Sequence, residues 1–428
     1  YFLNGTPNDT SDDTVLLASD PVVVYADDTK AAVVGTFTTI ADAVAAAPSG
    51  ALIEVAAGTY AESNILIDKP LTLLGDPGDP MAAGAGANAP VIDGGGAAAN
   101  GFTIAAGVDD VTISGFVIQD FGAAGNGPPS GMGVNVNASG GDGNDRIEIS
   151  NNDFAGNNWA DVFFWSDGSA VSADPLVTKN VVVKGPWSSN TNVYGIEVTN
   201  TSGAVVSDNE VSGGFQQVLV RSSGAATTNA TVSGNTLSNA AQNAVQVDGA
   251  GTAGVDVAGN MITADGTAIA VDGAADVDVT GNAVTVTDPA PVGAPGFNSV
   301  KGAAAIELSN ASDDGAESPS VTGNTITIAG NLQGGLAAFD AIDVDGSNTS
   351  ASLDLSGNTI DNPLGFAASF AGGPGDDAQT GTELADSLTG GDGDDTLTGG
   401  EGDDTLEGGA GTDVAVLADG GGDPFAPG

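Results

Sequence analysis

The chain of 428 residues contains no cysteine and no histidine, and only seven of its residues are lysine or arginine. Because disulfide bonds are excluded, the chain must obtain its stability from other interactions. The lack of histidine removes the commonest general base from any enzymatic mechanism. No apolar run approaches the length of a transmembrane helix, which needs about 20 residues.

The few basic residues stand against 56 aspartates and glutamates, which gives a formal net charge of -49 at pH 7. No lysine or arginine follows Lys301. Nucleic acids are disfavoured as partners because binding to phosphates requires cationic side chains, and anionic membranes are disfavoured for the same reason. Divalent cations are the natural counter-charge, since uncompensated acidic groups repel one another in a compact chain.

Five nonapeptides occupy residues 372–416 and read GGPGDDAQT, GTELADSLT, GGDGDDTLT, GGEGDDTLE and GGAGTDVAV. The third and fourth match G-G-x-G-x-D-x-U-x at every specified position, where U is a large apolar residue. The glycines permit tight turns with inward-pointing carbonyl groups, and the aspartate adds a carboxylate. Hard oxygen ligands of this kind suit calcium. The segment resembles the calcium-binding repeats of RTX proteins.

The RTX resemblance implies a β-roll in which two nonapeptides form one turn, so each loop stacks on the loop two repeats later. One side of the roll would carry Asp377, Asp395 and Asp413, and the other Asp386 and Asp404. The predicted metal ligands are these aspartates together with Gly390, Gly391, Gly393, Gly399, Gly400 and Gly402. Such a block is expected to fold only with calcium. The alternative is an acidic, disordered tail.

Two departures from the nonapeptide pattern carry further expectations. The repeat at Gly381 has Thr382 and Leu384 in place of its second and fourth glycines, which predicts weaker calcium sites there. Gln379 and Ala415 replace the apolar eighth residue, which predicts frayed ends. The apolar core between those ends would consist of Leu388, Leu397 and Leu406.

A second repeat precedes the nonapeptides and centres on asparagine. It reads SNNDF, SDNEV, SGNTL, AGNMI, TGNAV, TGNTI and SGNTI, and the asparagines are 57, 26, 25, 22, 42 and 34 residues apart. Spacings of 22–26 fit single coils of a right-handed parallel β-helix, and the larger ones imply two coils or a coil with an inserted loop. Such coils bury an apolar face only by stacking, and stacked asparagines are expected to form an internal ladder. The alternative is that these dipeptides are merely turns.

The N-terminal part agrees with a solenoid. Residues 37–48 predict a short amphipathic helix that ends at Pro48, and strand-like runs follow it. This stretch resembles the opening of pectate-lyase-like and NosD-like β-helix proteins, in which a helix plugs an otherwise open sheet edge. The predicted fold class is therefore all-β: a right-handed parallel β-helix solenoid with a short N-terminal capping helix, followed by a short RTX β-roll.

Three segments are predicted: an acidic N-terminal arm over 1–30, the β-helix over 31–365, and the calcium-binding repeats with a tail over 366–428. Residues 361–371 are expected to be a linker. Roughly ten to twelve coils fit between residues 50 and 365, and at ~4.8 Å per coil they make a rod about 50 Å long.

No convergent catalytic set is visible, and the fold by itself does not identify an activity. Arg221 is the best single candidate for a catalytic base, since its strand places it on the same face as Gln217 and Leu219. Glu197 lies about one coil earlier and Asp248 about one coil later. Paired carboxylates at a suitable separation serve glycoside hydrolases.

The three tryptophans, Trp159, Trp165 and Trp187, fall inside the 57-residue spacing, where the regular coil is expected to be interrupted. They are candidates for glycan or protein contact, and the alternative is a small core beneath a long loop. Residues 140–148 match the nonapeptide pattern in isolation. A loop that leads into a strand is predicted there, with a single calcium ion at Asp142 and Asp145 as the alternative.

These patterns predict a secreted, calcium-binding β-helix protein that acts as a structural component of a cell surface or extracellular matrix. The alternative is an extracellular polysaccharide lyase, hydrolase or epimerase that acts on uronate-type glycans. Calcium is the expected cofactor, and the expected partners are further copies of the chain or a surface polysaccharide. The RTX resemblance implies a prokaryotic protein exported by type I secretion. Nothing at Tyr1 looks like a signal peptide.

Overall fold

The computed structural model describes residues 22–76, 78, 81–122, 130–185, 193–264, 266–287, 304–309, 320–329, 340–344, 352–354, 357–361, 367–372, 376–417 and 425–427. Within these ranges the chain forms strands almost throughout, with one short helix, Ile40–Ala46. The strands lie in three long sheets, which the chain visits in turn to complete each coil. No helix in these ranges combines the length and apolarity that a membrane crossing requires.

Successive coils contribute one strand after another to each sheet. Sheet 1 consists of Val22–Tyr25, Val33–Phe37, Ala51–Val55, Leu71–Leu74, Val111–Ser114, Ile147–Ser150, Ser172–Ala173, Leu176–Thr178, Thr201–Ser202, Val205–Ser207, Thr227–Thr228, Thr231–Ser233, Thr252–Ala258, Ala275–Thr280, Ser320–Thr322, Ser352–Asp354, Ala378–Thr380, Thr396–Thr398 and Val414–Val416. Sheet 2 consists of Thr59–Tyr60, Val91–Ala97, Val117–Phe121, Asp153–Ala155, Val181–Val183, Glu210–Ser212, Thr236–Ala240, Met261–Ala264, Ala283–Val286, Thr325–Ile328 and Thr359–Asp361. Sheet 3 consists of Ile65–Ile67, Phe102–Ile104, Met132–Ala138, Ala160–Ser166, Tyr194–Thr199, Gln216–Arg221, Asn243–Asp248, Ile269–Asp272, Ala304–Ser309, Asp340–Val344, Ala368–Ala371, Ser387–Asp392, Thr405–Ala410 and Phe425–Pro427.

Parallel pairing between neighbouring coils makes this a parallel β-helix, as predicted. Sheet 2 has 11 strands, one for each coil, which agrees with the expected number of coils. The described exception to parallel pairing is Val22–Tyr25, which runs antiparallel to both of its neighbours in sheet 1.

The interior of the solenoid is a single apolar core that extends from Val22 to Leu406. Side chains alternate across each strand, so every second residue points inward. In Gln216–Arg221, for example, Val218 and Val220 are fully buried in this core, which places Leu219 on the outer face. Fully burying a valine contributes roughly 1.5–3 kcal/mol, and stacking makes this gain available to strands of only a few residues.

A ladder of buried asparagines runs along the corner between sheets 1 and 2. Its members are Asn152, Asn180, Asn209, Asn235, Asn260, Asn282, Asn324 and Asn358. The Nδ2 of each donates to the Oδ1 of the next at 2.9–3.1 Å, and the same Oδ1 accepts the backbone N–H of the preceding asparagine. The predicted internal ladder is confirmed.

The ladder also corrects one expectation. Asn180 lies midway in the 57-residue spacing and bonds to Asn152 on one side and Asn209 on the other. The spacing therefore contains two ordinary coils, and the predicted interruption of the regular coil is wrong. The spacings of 42 and 34 residues belong to single coils with insertions, because their asparagines bond directly to one another.

The helix Ile40–Ala46 packs on the first coil and buries its apolar face in the core, as expected of a cap. Thr39 is the N-cap and accepts a hydrogen bond from the first turn, while the carboxylate of Glu62 accepts two more at 2.8 and 2.9 Å. At the other end the Nζ of Lys69 donates to carbonyl groups of the last turn. The helix is shorter than the predicted 37–48.

The C-terminal roll continues the solenoid directly. Beyond Thr359–Asp361 no described strand joins sheet 2, and the chain alternates between sheets 3 and 1. Ala368–Ala371 pairs with Asp340–Val344 on one side and Ser387–Asp392 on the other. The C-terminal end of the linker predicted over 361–371 is therefore a strand, and residues 362–366 lie outside the described ranges.

The predicted arm over 1–30 also needs correction, because Val22–Tyr25 is a strand of sheet 1. Residues 1–21 lie outside the described ranges. The other segment boundaries remain predictions.

Candidate metal-binding site

Two ladders of aspartates line the roll, and all of them are buried except the half-buried Asp413. On the side of sheet 1, Asp395 Oδ1 accepts the backbone N–H of Asp377 at 2.8 Å, and Asp413 Oδ1 accepts that of Asp395 at 3.1 Å. On the side of sheet 3, Asp404 Oδ1 accepts the N–H of Asp386 at 3.0 Å. Each step spans 18 residues, as expected for two nonapeptides per turn.

The second oxygen of the ladder carboxylates faces the glycines that open each repeat. A Cβ atom on Gly390 would collide with Asp395 Oδ2, and one on Gly408 would collide with Asp413 Oδ2. These two Oδ2 atoms are buried and accept no hydrogen bond from the described residues. Because burying an unpaired carboxylate oxygen is costly, a cation is expected to compensate it.

The turns themselves bring backbone carbonyl groups together. The glycines at the second and fourth positions have positive φ, at 113° for Gly391, 144° for Gly393, 104° for Gly400 and 121° for Gly402. A Cβ atom on Gly400 would overlap the carbonyl oxygen of the turn stacked 18 residues earlier. Only glycine permits this close approach.

The donor set fits calcium. The described residues contain no group of three or more acidic side chains that would hold a metal alone. Backbone carbonyls would therefore supply the remaining ligands beside each aspartate, and carboxylate and carbonyl oxygens are the ligands that calcium prefers. A bound calcium ion would supply the positive charge that the buried carboxylates lack. The predicted ligands all lie in or beside these turns, and their role in binding metal remains a prediction.

The repeat at Gly381 is built differently. Thr382 donates its backbone N–H to Asp386 Oδ2 at 2.6 Å, and its hydroxyl donates to both carboxylate oxygens. Burial raises the pKa of Asp386 to about 7, although the hydrogen bonds from Thr382 act in the opposite direction.

The apolar line of the roll is as predicted, since Leu388, Leu397 and Leu406 are all buried. The frayed end predicted at Gln379 is wrong. This side chain is buried, and its Nε2 donates to the carbonyl of Thr389 at 3.0 Å.

The isolated nonapeptide match at 140–148 forms a loop that leads into Ile147–Ser150, as predicted. Asn144 is buried, and its Nδ2 donates to carbonyl groups of the previous coil. Asp145 accepts a backbone hydrogen bond from the next coil at 2.8 Å, whereas Asp142 is exposed. The segment therefore serves as an ordinary turn of the solenoid.

A polar cluster lies on the outer face of sheet 3. Arg221 Nη2 contacts Glu197 Oε1 at 2.8 Å, and the hydroxyl of Thr199 donates to the same oxygen at 2.9 Å. The Glu197 side chain is fully buried, whereas that of Arg221 is 32% exposed. Asp248 is the register partner of Arg221 on the next coil. Coil stacking thus brings together three side chains that the sequence leaves far apart.

Three groups of this cluster have raised pKa values. Burial raises the pKa of Glu197, and the nearby Arg221 acts against that rise. Burial and the charge of Asp272 raise the pKa of Asp248. Burial, with a contribution from Glu197, raises the pKa of Tyr194 to about 12, so its hydroxyl stays protonated. The face therefore presents the partly exposed guanidinium of Arg221 and the carboxyl group of Asp248, while Glu197 and Tyr194 are buried.

The tryptophans divide between two environments. Trp159 meets Tyr194 edge-on at 5.6 Å and packs on a small outer cluster with Phe163, which is the small-core alternative. Trp165 is 39% exposed. Its neighbour in the chain, Phe164, pairs with Val198, so Trp165 lies opposite Thr199 on the next strand. Thr199 in turn pairs with Arg221. Trp165 and Arg221 therefore belong to one row of residues that are aligned across successive coils. Trp187 lies outside the described residues.

Two family models match the chain. Residues 99–284 match the right-handed β-helix region, and residues 380–415 match the RTX calcium-binding nonapeptide repeat in four copies. No curated protein sequence gives a significant match.

Solved structures with a similar course of the chain include DFA-IIIase from Arthrobacter chlorophenolicus A6, at 14% identity and a TM-score of 0.43, covering 74% of this chain and 82% of that one. A mutant of the periplasmic alginate epimerase AlgG has 9% identity and a TM-score of 0.36, with 88% and 85% covered. A GH87 α-1,3-glucanase from Streptomyces thermodiastaticus has 15% identity and a TM-score of 0.37, with 90% and 65% covered. At these identities and TM-scores the similarities carry no information about activity.

The asparagine ladder, the parallel coils and the stacked glycine turns agree with both family models. The chain is a right-handed parallel β-helix protein with RTX calcium-binding nonapeptide repeats at its C-terminal end.

Proposed function

We propose that the chain is an extracellular calcium-binding solenoid with a structural role at a cell surface or in an extracellular matrix. The observation that carries this proposal is the pair of buried, unpaired oxygens on Asp395 and Asp413, which face the glycine turns of the roll. The roll shares sheets 1 and 3 with the β-helix. Calcium that orders the roll would therefore extend the solenoid, since metal binding and folding are coupled.

Calorimetric titration with calcium tests the binding part of this proposal. Asp395→Asn should remove a site or weaken it at least tenfold, because it removes a charged ligand. Asp392→Asn is the matched control, since Asp392 is an exposed acid in the same turn and its replacement changes the charge equally. No calcium binding by the wild-type chain, or equal losses in both variants, would contradict the proposal.

The structural role is supported by the charge of -49, which calcium would bridge between copies of the chain or between the chain and a surface polysaccharide. Sedimentation velocity in calcium, with magnesium as the control, tests self-association. We expect larger species in calcium only. A monomer at every calcium concentration would argue against a filament or surface layer while leaving calcium binding intact.

A glycan site on the outer face of sheet 3 is the second candidate function. It is favoured by the cluster of Tyr194, Glu197, Arg221 and Asp248, and by the exposed Trp165 in the same row. Trp165 and Arg221 are two strands apart, or roughly 9–10 Å at the usual strand spacing. An aromatic platform beside hydrogen-bonding groups is suited to a saccharide chain that lies across the coils.

The charge of this row favours a neutral glycan over the uronate polymers expected from the sequence. Arg221, the cation of the row, is already paired with Glu197. Asp248 and Asp272 follow Arg221 on the next two coils. A polyanionic chain would therefore face these carboxylates with little compensation.

Affinity electrophoresis and product analysis on neutral and uronate polysaccharides test this second candidate. Arg221→Ala and Trp165→Ala should each weaken binding or turnover of a neutral glycan about tenfold or more. Arg146→Ala is the control, because Arg146 is also an ion-paired arginine, bonded to Asp110 on the surface. Unchanged behaviour of the first two variants, or a preference for uronates, would oppose this candidate.

A further inference from the structure

In the turn from Gly381 to Asp386, groups of the chain itself provide hydrogen bonds to the Asp386 carboxylate. Asp386 Oδ1 accepts hydrogen bonds from the backbone N–H of Ala368 at 2.8 Å and from the Thr382 hydroxyl at 3.0 Å. Asp386 Oδ2 accepts from the backbone N–H of Thr382 at 2.6 Å and again from the hydroxyl at 3.1 Å. Both oxygens are therefore occupied by groups of the chain itself.

The equivalent turn of the next repeat provides an internal comparison. Asp395 Oδ1 also accepts a backbone N–H, yet its Oδ2 has no hydrogen-bond partner in the described chain. The residue that corresponds to Thr382 there is Gly391, which offers no side chain.

The backbone of the two turns differs as well. Gly391 and Gly393 have φ of 113° and 144°, whereas Thr382 and Leu384, at the same positions of the earlier repeat, do not have positive φ. A β-branched residue strongly disfavours that region. The backbone of the 381 turn therefore differs from that of the next turn at these two positions, although the carbonyl of Thr382 approaches Gly400 as that of Gly391 approaches Gly409.

We propose that the 381 turn is independent of metal, with Thr382 taking the place that calcium has in the other turns. This inference rests on the proposed function for those other turns. It implies that the stack of turns containing Asp386 and Asp404 binds one calcium ion fewer than a stack of complete repeats would.

The position of this turn gives it a second consequence. The bond from Ala368 ties Asp386 to the strand Ala368–Ala371, which pairs directly with the last described β-helix strand of sheet 3. The 381 turn is therefore ordered by the β-helix before calcium binds. Later repeats then add to an existing end, which avoids the cost of starting the stack anew.

Calcium stoichiometry tests the missing site. The double variant Thr382→Gly/Leu384→Gly restores the complete glycine pattern and should bind one more calcium ion than the wild-type chain. Thr382→Ser keeps the hydroxyl and is the control, with unchanged stoichiometry. If the wild-type chain binds calcium and the double variant adds no site, this inference fails while the proposed function stands. If the wild-type chain binds none, the proposed function itself fails.

Hydrogen exchange in chelator tests the metal-free order and does not depend on the folding of the double variant. In the wild-type chain we expect the amides of Thr382 and Ala368 to be protected and that of Asp395 to exchange freely. Thr382→Val removes the hydroxyl bonds to a charged group and should speed exchange at residue 382 about tenfold or more. Exchange at this amide as fast as in an unfolded peptide, in the wild-type chain without calcium, would overturn the inference.

Discussion

Replacing one asparagine in the middle of the internal ladder should destabilise the solenoid severely. The side chain of Asn260 uses its whole hydrogen-bonding capacity. Its Nδ2 donates to the carbonyl of Val232 and to Asn282 Oδ1, both at 2.9 Å. Its Oδ1 accepts from the backbone N–H and the Nδ2 of Asn235, at 3.0 and 2.9 Å. Asn260→Ala removes all four bonds at a site with no access to water.

The expected magnitude follows from the groups that lose a partner. The backbone N–H of Asn235 and the carbonyl of Val232 each lose a hydrogen bond, and each loss in a buried site costs about 1–3 kcal/mol. The Asn235 Nδ2 still donates to the carbonyls of Val206 and Ser233. The free energy of unfolding should therefore fall by about 2–6 kcal/mol, where a whole domain is typically stable by about 5–15 kcal/mol. Asn88→Ala is the control, because this asparagine is exposed, and it should change stability by less than about 0.5 kcal/mol.

Urea unfolding in calcium, followed by far-UV circular dichroism, measures the difference. Hydrogen exchange locates the destabilised coils. Because each coil contacts only its neighbours, the fastest exchange should lie in the coils beside residue 260. A loss of less than about 1 kcal/mol relative to Asn88→Ala would refute the view that the ladder holds the coils together.

Three further variants test the buried charges, each by chemical denaturation. Arg221→Met leaves Glu197 buried without its cation and should lower the free energy of unfolding by about 1–3 kcal/mol at pH 8. This loss should be smaller at pH 5, because the Glu197 carboxyl group takes up a proton. Equal losses at both pH values would contradict this expectation. Lys184→Met leaves the fully buried Asp161 unpaired and should cost about 3–5 kcal/mol, and adding Asp161→Leu should recover part of it. No recovery would show that the ion pair is not the cause. Burial raises the pKa of Asp340 to about 7, so the folded chain binds this proton more tightly than the unfolded chain and loses stability as pH rises from about 4 to 7. Asp340→Asn should remove that part of the pH dependence, and an unchanged profile would count against it.

The solenoid could be predicted because each of its repeats is specified by residues that are adjacent in the sequence. In all but one of the predicted repeats, a glycine or an aspartate before the asparagine supplies the positive φ of the turn, as at Gly234 with 66° and Asp208 with 55°, and in the remaining one Asn151 does so. Asn180 escaped prediction because Lys179 occupies that turn position, with φ of 55°. The lysine departs from the repeat pattern, but it adopts the same positive φ, so the coil forms although the sequence signal is weak.

The calcium turns could be predicted for the same reason, since glycine and aspartate alternate within nine residues. For the polar cluster, the sequence places Glu197, Arg221 and Asp248 about one coil apart, but their burial and pairing could not be predicted. Glu197 and Arg221 meet only because one coil between them has a particular length and register, and coil lengths vary along the chain. The replacement of calcium by Thr382 depends likewise on where one hydroxyl points.

Local patterns of glycine, asparagine, aspartate and β-branched residues thus determined the solenoid, the capping helix and the calcium-binding repeats. The tertiary structure decided which charged groups are buried and how they are paired. It decided that sheets 1 and 3 pass directly into the roll while sheet 2 receives no further described strand. The physical reason is that turn geometry is a property of neighbouring residues, whereas burial and pairing arise only when coils of unequal length stack on one another.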